Sequence, residues 1–171
     1  LLLSSILVLL LTNNVHALDR YWVAGSVGVW SNTSNWSTSN GGTGGASVPG
    51  ISDVAIFNAN GLGNCNIDLH PTIGGITING YTSTIDLAGF TFSSSGAINL
   101  TTGFINDISG TGSFTINSTL TSIFSGTTFG AEVNVTSKRI FLNGSTFNAA
   151  AVFTKNGAGN DDGSGANTFN S

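Results

Sequence analysis

Cys65 and His70 are the thiol and imidazole that lie near each other in the chain. A nucleophilic thiol needs a base beside it and a further group to orient that base. No orienting partner is evident, and His70 precedes Pro71 at a turn. A small buried thiol and a solvated turn imidazole is the stronger reading. Zinc wants clustered Cys and His ligands, and one cysteine with two histidines does not supply them. Calcium has a better claim. Asn156-Gly157-Ala158-Gly159-Asn160-Asp161-Asp162-Gly163 approaches the Gly-Gly-x-Gly-x-Asp-x-apolar-x unit of calcium-binding β-rolls, with Asp161 and Asp162 as the residues that would take the ion. Asn156 and Gly163 break that pattern, and tandem copies are needed to enclose each ion. A hydrated loop is the expectation, with no metal and no cofactor.

Asp68 and Asp86 occupy matching places in Ile67-Asp68-Leu69 and Ile85-Asp86-Leu87, one repeat apart. On successive coils they would form an acidic ladder, with Asn99 extending it. Lys138 and Arg139 would then be the proton acceptors of a polysaccharide-active enzyme. Nothing in the sequence places them near the acids, and wet-face positions of strands explain all of these residues. Trp30 and Trp36 flank the polar run Ser31-Asn32-Thr33-Ser34-Asn35. Exposed, their rings would stack on sugars; buried, they would close the end of a core.

The elements that must position these residues follow from composition. Only 7% of residues are charged, Gly numbers 24, Met is absent and Glu occurs once. An ordinary soluble domain is about a quarter charged. Here β-branched and aromatic residues alternate with Thr, Ser and Asn, which is strand chemistry. The net charge of −4 and four scattered basic residues exclude an electrostatic nucleic-acid interface. With a single cysteine, no internal disulfide is available.

Three blocks near the end repeat: Thr128-Phe129-Gly130-Ala131, Thr146-Phe147-Asn148-Ala149 and Thr168-Phe169-Asn170-Ser171. A period of roughly 20 residues marks one supersecondary unit laid down repeatedly. From about Cys65, short alternating runs recur, among them Ile76-Thr77-Ile78, Ile98-Asn99-Leu100 and Val133-Asn134-Val135, separated by Gly, Asn or Ser clusters. A β-sandwich and a solenoid both accommodate such strands. The echo favours an all-β, right-handed parallel β-helix, with the sandwich as alternative. Residues 1–17 read as a secretory signal whose basic n-region is missing, too short to span a bilayer. Residues 18–60, which hold all three tryptophans, read as an N-terminal cap. Residues 61–171 read as β-helix repeats, cut off at residue 171 with further repeats of the same polypeptide beyond.

The segment Arg20-Tyr21-Trp22-Val23-Ala24-Gly25, with Gly28-Val29-Trp30, Asn35-Trp36-Ser37, Val48-Pro49-Gly50 and Asp53-Val54-Ala55-Ile56-Phe57, resembles the opening of a known group. These are large, secreted, repeat-rich surface proteins of Bacteroidetes-type bacteria, adhesin-like or autotransporter-like. Arg139 to Asn148 and Lys155 to Asp161 resemble that group's repeat units. The resemblance implies a non-enzymatic stalk or adhesive surface, outside the cell, with glycans or other surfaces as partners and no membrane span in the mature chain. A lyase or hydrolase on the same scaffold, and a carbohydrate-binding module, are the alternatives.

Overall fold

A computed structural model describes residues 16–170. The apolar run read as a signal lies outside the described residues, apart from His16 and Ala17 at its end.

The strands fall into three sheets. The first contains β1 (Asp19–Trp22), β3 (Trp36–Ser37), β4 (Val54–Asn58), β7 (Gly75–Asn79), β10 (Ile98–Leu100), β13 (Thr121–Ser125) and β16 (Arg139–Asn143). The second contains β2 (Gly28–Val29), β5 (Cys65–Asn66), β8 (Thr84–Asp86), β11 (Phe104–Asn106), β14 (Thr128–Phe129), β17 (Thr146–Phe147) and β19 (Thr168–Phe169). The third contains β6 (Thr72–Ile73), β9 (Thr91–Ser94), β12 (Ser113–Asn117), β15 (Glu132–Ser137) and β18 (Ala151–Lys155). After the first coil the chain visits the three in turn, so that, apart from β3, strands pair in parallel with their equivalents one coil away. The result is a β-solenoid of about six turns rather than a sandwich.

Register follows the sequence echo. Thr128 lies opposite Thr146 and Thr146 opposite Thr168, with Phe129, Phe147 and Phe169 aligned beside them. Alternation sends each phenylalanine inward. The Phe129 and Phe147 rings stack at 5.1 Å and 6°, and Phe147 and Phe169 at 5.0 Å and 14°. Each fully buried ring contributes roughly 1.5–3 kcal/mol of burial, with about 0.5–1.5 kcal/mol more from a well-placed aromatic pair.

Coil length is not constant. Ile98 pairs with Ser122, and Ser122 in turn with Ile140, so the earlier of these two coils is clearly the longer. The corner between the second and third sheets absorbs most of the difference: Phe104 and Ser113 are nine positions apart, whereas their partners Thr128 and Glu132 are four apart. Gly126 and Gly144, which end β13 and β16, have φ of 76° and 69°, and there a side chain would be strained.

The first coil is longer still, since Asp19 pairs with Val54. Coil pairing therefore begins at Asp19, inside the segment read as the cap, because β1 and β2 pair in parallel with β4 and β5. The surplus residues form the closure. β3 turns back to pair with β1 antiparallel, setting Trp22 opposite Trp36 across the sheet edge. The Trp30 and Trp36 rings meet at 4.7 Å, and Trp22 and Trp36 at 5.2 Å, both edge to face. Phe57 lies beneath them. Buried indole N–H groups need acceptors. Trp36 Nε1 donates to the Trp30 carbonyl at 2.8 Å, and Trp22 Nε1 to the Gly63 carbonyl at 2.9 Å. The Tyr81 hydroxyl donates to that same Gly63 carbonyl at 2.8 Å. Gly44 has no room for a side chain, for a Cβ there would stand 1.8 Å from the Ser34 carbonyl oxygen.

Candidate functional site

The residues with chemical potential are dispersed by this architecture. Cys65 is fully buried, in register with Ile85 on the inward face of the second sheet. Burial first, and then the nearby Asp68 carboxylate, push its thiol well above the ordinary range. His70 lies on a corner, where its Nδ1 accepts the Thr91 N–H at 3.0 Å and its ring meets Phe90 edge-on. The two are not hydrogen-bonded, so no thiolate–imidazole pair is formed.

The acidic ladder is not formed either. Asn66 is the residue that pairs with Asp86, so Asp68 falls past the place opposite Asp86. Asp68 instead holds Ser31, accepting its N–H at 3.0 Å and its hydroxyl at 2.5 Å. Asp86 accepts the N–H groups of Ala88 at 3.1 Å and Ile108 at 3.2 Å. Asn99 belongs to a different sheet, opposite Thr77 and Ile123. Lys138 and Arg139 sit at the corner between the third and first sheets, and Arg139 Nε donates to the Asn160 carbonyl.

Asp161 is engaged by the Ile140 N–H at 2.8 Å and by Lys155 Nζ at 3.0 Å. Those partners, the backbone N–H first, hold its carboxyl below the ordinary value. Asp162 caps its own turn through the N–H and hydroxyl of Ser164. Among the described residues, no three His, Cys, Asp or Glu side chains converge as a metal site. Trp30 and Trp36 are 1% and 0% exposed. The sugar-stacking role weighed for them is overturned, since neither offers a ring face to solvent.

What the fold does assemble is a pair of columns on the outward face of the second sheet. The tripeptides Thr84-Ile85-Asp86, Phe104-Ile105-Asn106, Thr128-Phe129-Gly130, Thr146-Phe147-Asn148 and Thr168-Phe169-Asn170 stack in register. The middle residue of each points into the core. The first residues form a column of threonines, the third a column of amides that begins at Asn66. Asn170 Nδ2 donates to Asn148 Oδ1 at 2.7 Å, one rung of an amide ladder.

Three residues depart from this repeat: Asp86 puts a carboxylate in the amide column, and the other two are neighbours. Phe104 stands where a threonine is expected, directly opposite Thr84 and Thr128. Gly130 stands where an asparagine is expected, between Asn106 and Asn148. The missing side chain and the ring together shape a shallow groove of about 290 Å³, lined by Thr84, Phe104, Asn106, Thr128, Gly130 and Asn148. Phe104 is 49% exposed along it. The sequence carried the signal for this site in the Thr-apolar-Asn tripeptides, but only once they are aligned coil by coil do the two departures become adjacent.

Below the same sheet, Asp107 turns inward at the corner and is 8% exposed. Burial pushes its carboxyl up. The Gly112 N–H, the Ser109 hydroxyl and the N–H groups of Gly89 and Ser109 outweigh that and hold it below the ordinary value. Gly89 belongs to the preceding coil, so this carboxylate ties two coils together.

Among the described residues, no helix is long and apolar enough to cross a membrane. No protein-family model, no curated protein and no solved structure matches this chain.

Proposed function

We propose that this chain is a non-enzymatic structural and adhesive module of a secreted or cell-surface repeat protein. Its work is to present extended polar faces to glycans or other surfaces. One observation carries the reading: hydroxyl and amide side chains stand in register along the outside of the solenoid. On the second sheet these are the Thr and Asn columns. On the third, Thr72, Ser93, Thr115 and Asn134 align, with Thr91 and Ser113 beside them. Evenly spaced polar groups on a stiff support make many weak contacts at once, and multiplicity rather than one tight site then gives avidity. The apolar interior resists opening to proteases, as an exposed stalk requires. Opposing an enzymatic reading, Asp68, Asp86, Lys138 and Arg139 each have other partners or other locations.

The test is adhesion. Beads densely coated with the chain should be retained on polysaccharide-coated surfaces, while the same chain free in solution washes off. Hydrolysis or eliminative cleavage of any of those polysaccharides by the free chain, with release of reducing ends or unsaturated products, overturns the reading.

A further inference from the structure

The groove on the second sheet has a chemistry of its own. We propose that it is a binding subsite for an uncharged pyranose unit, with Phe104 as the stacking platform. The inference rests on the adhesive reading and gives it one local address.

Four observations lead there. First, a half-exposed phenylalanine in a column of threonines is costly to leave in water, and the fold had a threonine to use at that position in every later coil. Second, Phe104 is flanked in register by Thr84 and Thr128, which also line the groove and each carry a methyl and a hydroxyl. A pyranose ring has the matching shape, with an apolar C–H face and a hydroxyl rim. Third, the notch at Gly130 is polar and open. A Cβ at Gly130 would stand 2.2 Å from Asn106 Oδ1, so the Asn106 amide lies across the space that the missing side chain leaves. Among the described residues, the Asn106 amide and the Thr128 hydroxyl have no protein hydrogen-bond partner, and Asn148 uses only its Oδ1, towards Asn170. All three residues line the groove, and their remaining donors and acceptors suit vicinal hydroxyls.

Fourth, none of the residues lining the groove is charged. The nearest carboxylate in the amide column, Asp86, already accepts two backbone N–H groups. With no cation present to neutralise a carboxylate or sulfate, an acidic sugar would lose hydration without compensation. A neutral hexose suffers no such loss. The volume accommodates about one ring, so affinity per site is weak and binding to a chain of sugars depends on repetition.

The repeat itself supplies the test variants. Phe104→Thr and Gly130→Asn each write the column's own residue into the exceptional position, so both are expected to keep the fold. Gly130 lies outside the left-handed region, and the crowding atom is the tip of the flexible Asn106 side chain. Side-chain amide and aromatic NMR signals of the chain are followed while cellohexaose, mannohexaose and chitohexaose are added, with oligogalacturonate as the acidic control. The expected result is a shift of the Asn106 and Asn148 amide signals and the Phe104 ring signals with at least one neutral oligosaccharide, weakened about tenfold or more in either variant. No shift with any neutral oligosaccharide, or equal binding by both correctly folded variants, overturns the subsite. So does stronger binding of the acidic control. Bead adhesion of the same variants separates the two claims. Adhesion undiminished in both variants sinks the subsite and leaves the adhesive face standing, whereas no adhesion by the parent chain sinks the adhesive reading itself.

Discussion

Asp107 shows how a single side chain holds successive coils together. Its folded pKa lies below the unfolded carboxyl value of about 3.9, so its contribution is present above that value and is lost as pH falls through the folded pKa. Asp107→Asn keeps the shape, weakens the acceptors and is expected to cost roughly 1–3 kcal/mol at pH 7. Urea unfolding at pH 7 and pH 2 should show that difference shrinking at the acidic end; an undiminished gap would mean the carboxylate charge is irrelevant. Ser94 is the opposite case. It sits inward between Ile73 and Ile116, and its hydroxyl is buried without a hydrogen-bond partner. Ser94→Ala should therefore raise stability, by up to about 1 kcal/mol, in the same assay. The buried Cys65 thiol should ignore Ellman's reagent in the native protein and react once on unfolding; prompt reaction at pH 8 would contradict its placement.

At the scale of the strand, ring stacking decides which phenylalanines matter. Phe129 is fully buried and lies beside Phe114, Phe124 and Phe147, whereas Phe169 is 52% exposed at the end of its column. Phe129→Ala is expected to cost about 3–5 kcal/mol and Phe169→Ala well under half of that, measured by thermal or urea unfolding. Much of this was legible in the sequence. The Thr-Phe blocks carried both the inward column and its register, because a repeated residue in a solenoid must stack on itself. Asp68 and Asp86 misled because their spacing equals that of Phe129 and Phe147, which do stack, while the coil that joins the two acids is slightly longer and sets Asn66 against Asp86. β11 and β13 are the strands hardest to read from sequence, because Phe104-Ile105-Asn106 and Thr121-Ser122-Ile123-Phe124-Ser125 lack clean apolar–polar alternation. In β11 the outward phenylalanine that blurs the pattern is the same residue that marks the groove.

Taken whole, the molecule is held by burial and backbone pairing and scarcely by charge. One ion pair, Lys155 to Asp161, occurs among the described residues, and it is partly exposed. Raising sodium chloride from low to physiological strength and beyond should shift the thermal midpoint very little; a large drop would reveal an electrostatic contribution that the fold does not display. Tryptophan emission should be blue-shifted and shielded from iodide, since all three indoles are within the closure. The variable corners carry a further meaning. Thr128 and Thr146 are equivalent points on neighbouring coils, so residues 128–145 form a complete cassette. Excising them would join like to like, keep the inward column of the second sheet and shorten the rod by about 4.8 Å. Length in such a molecule is a counted quantity: unequal recombination between coils can lengthen or trim the reach of the surface in fixed steps, without inventing a new core each time.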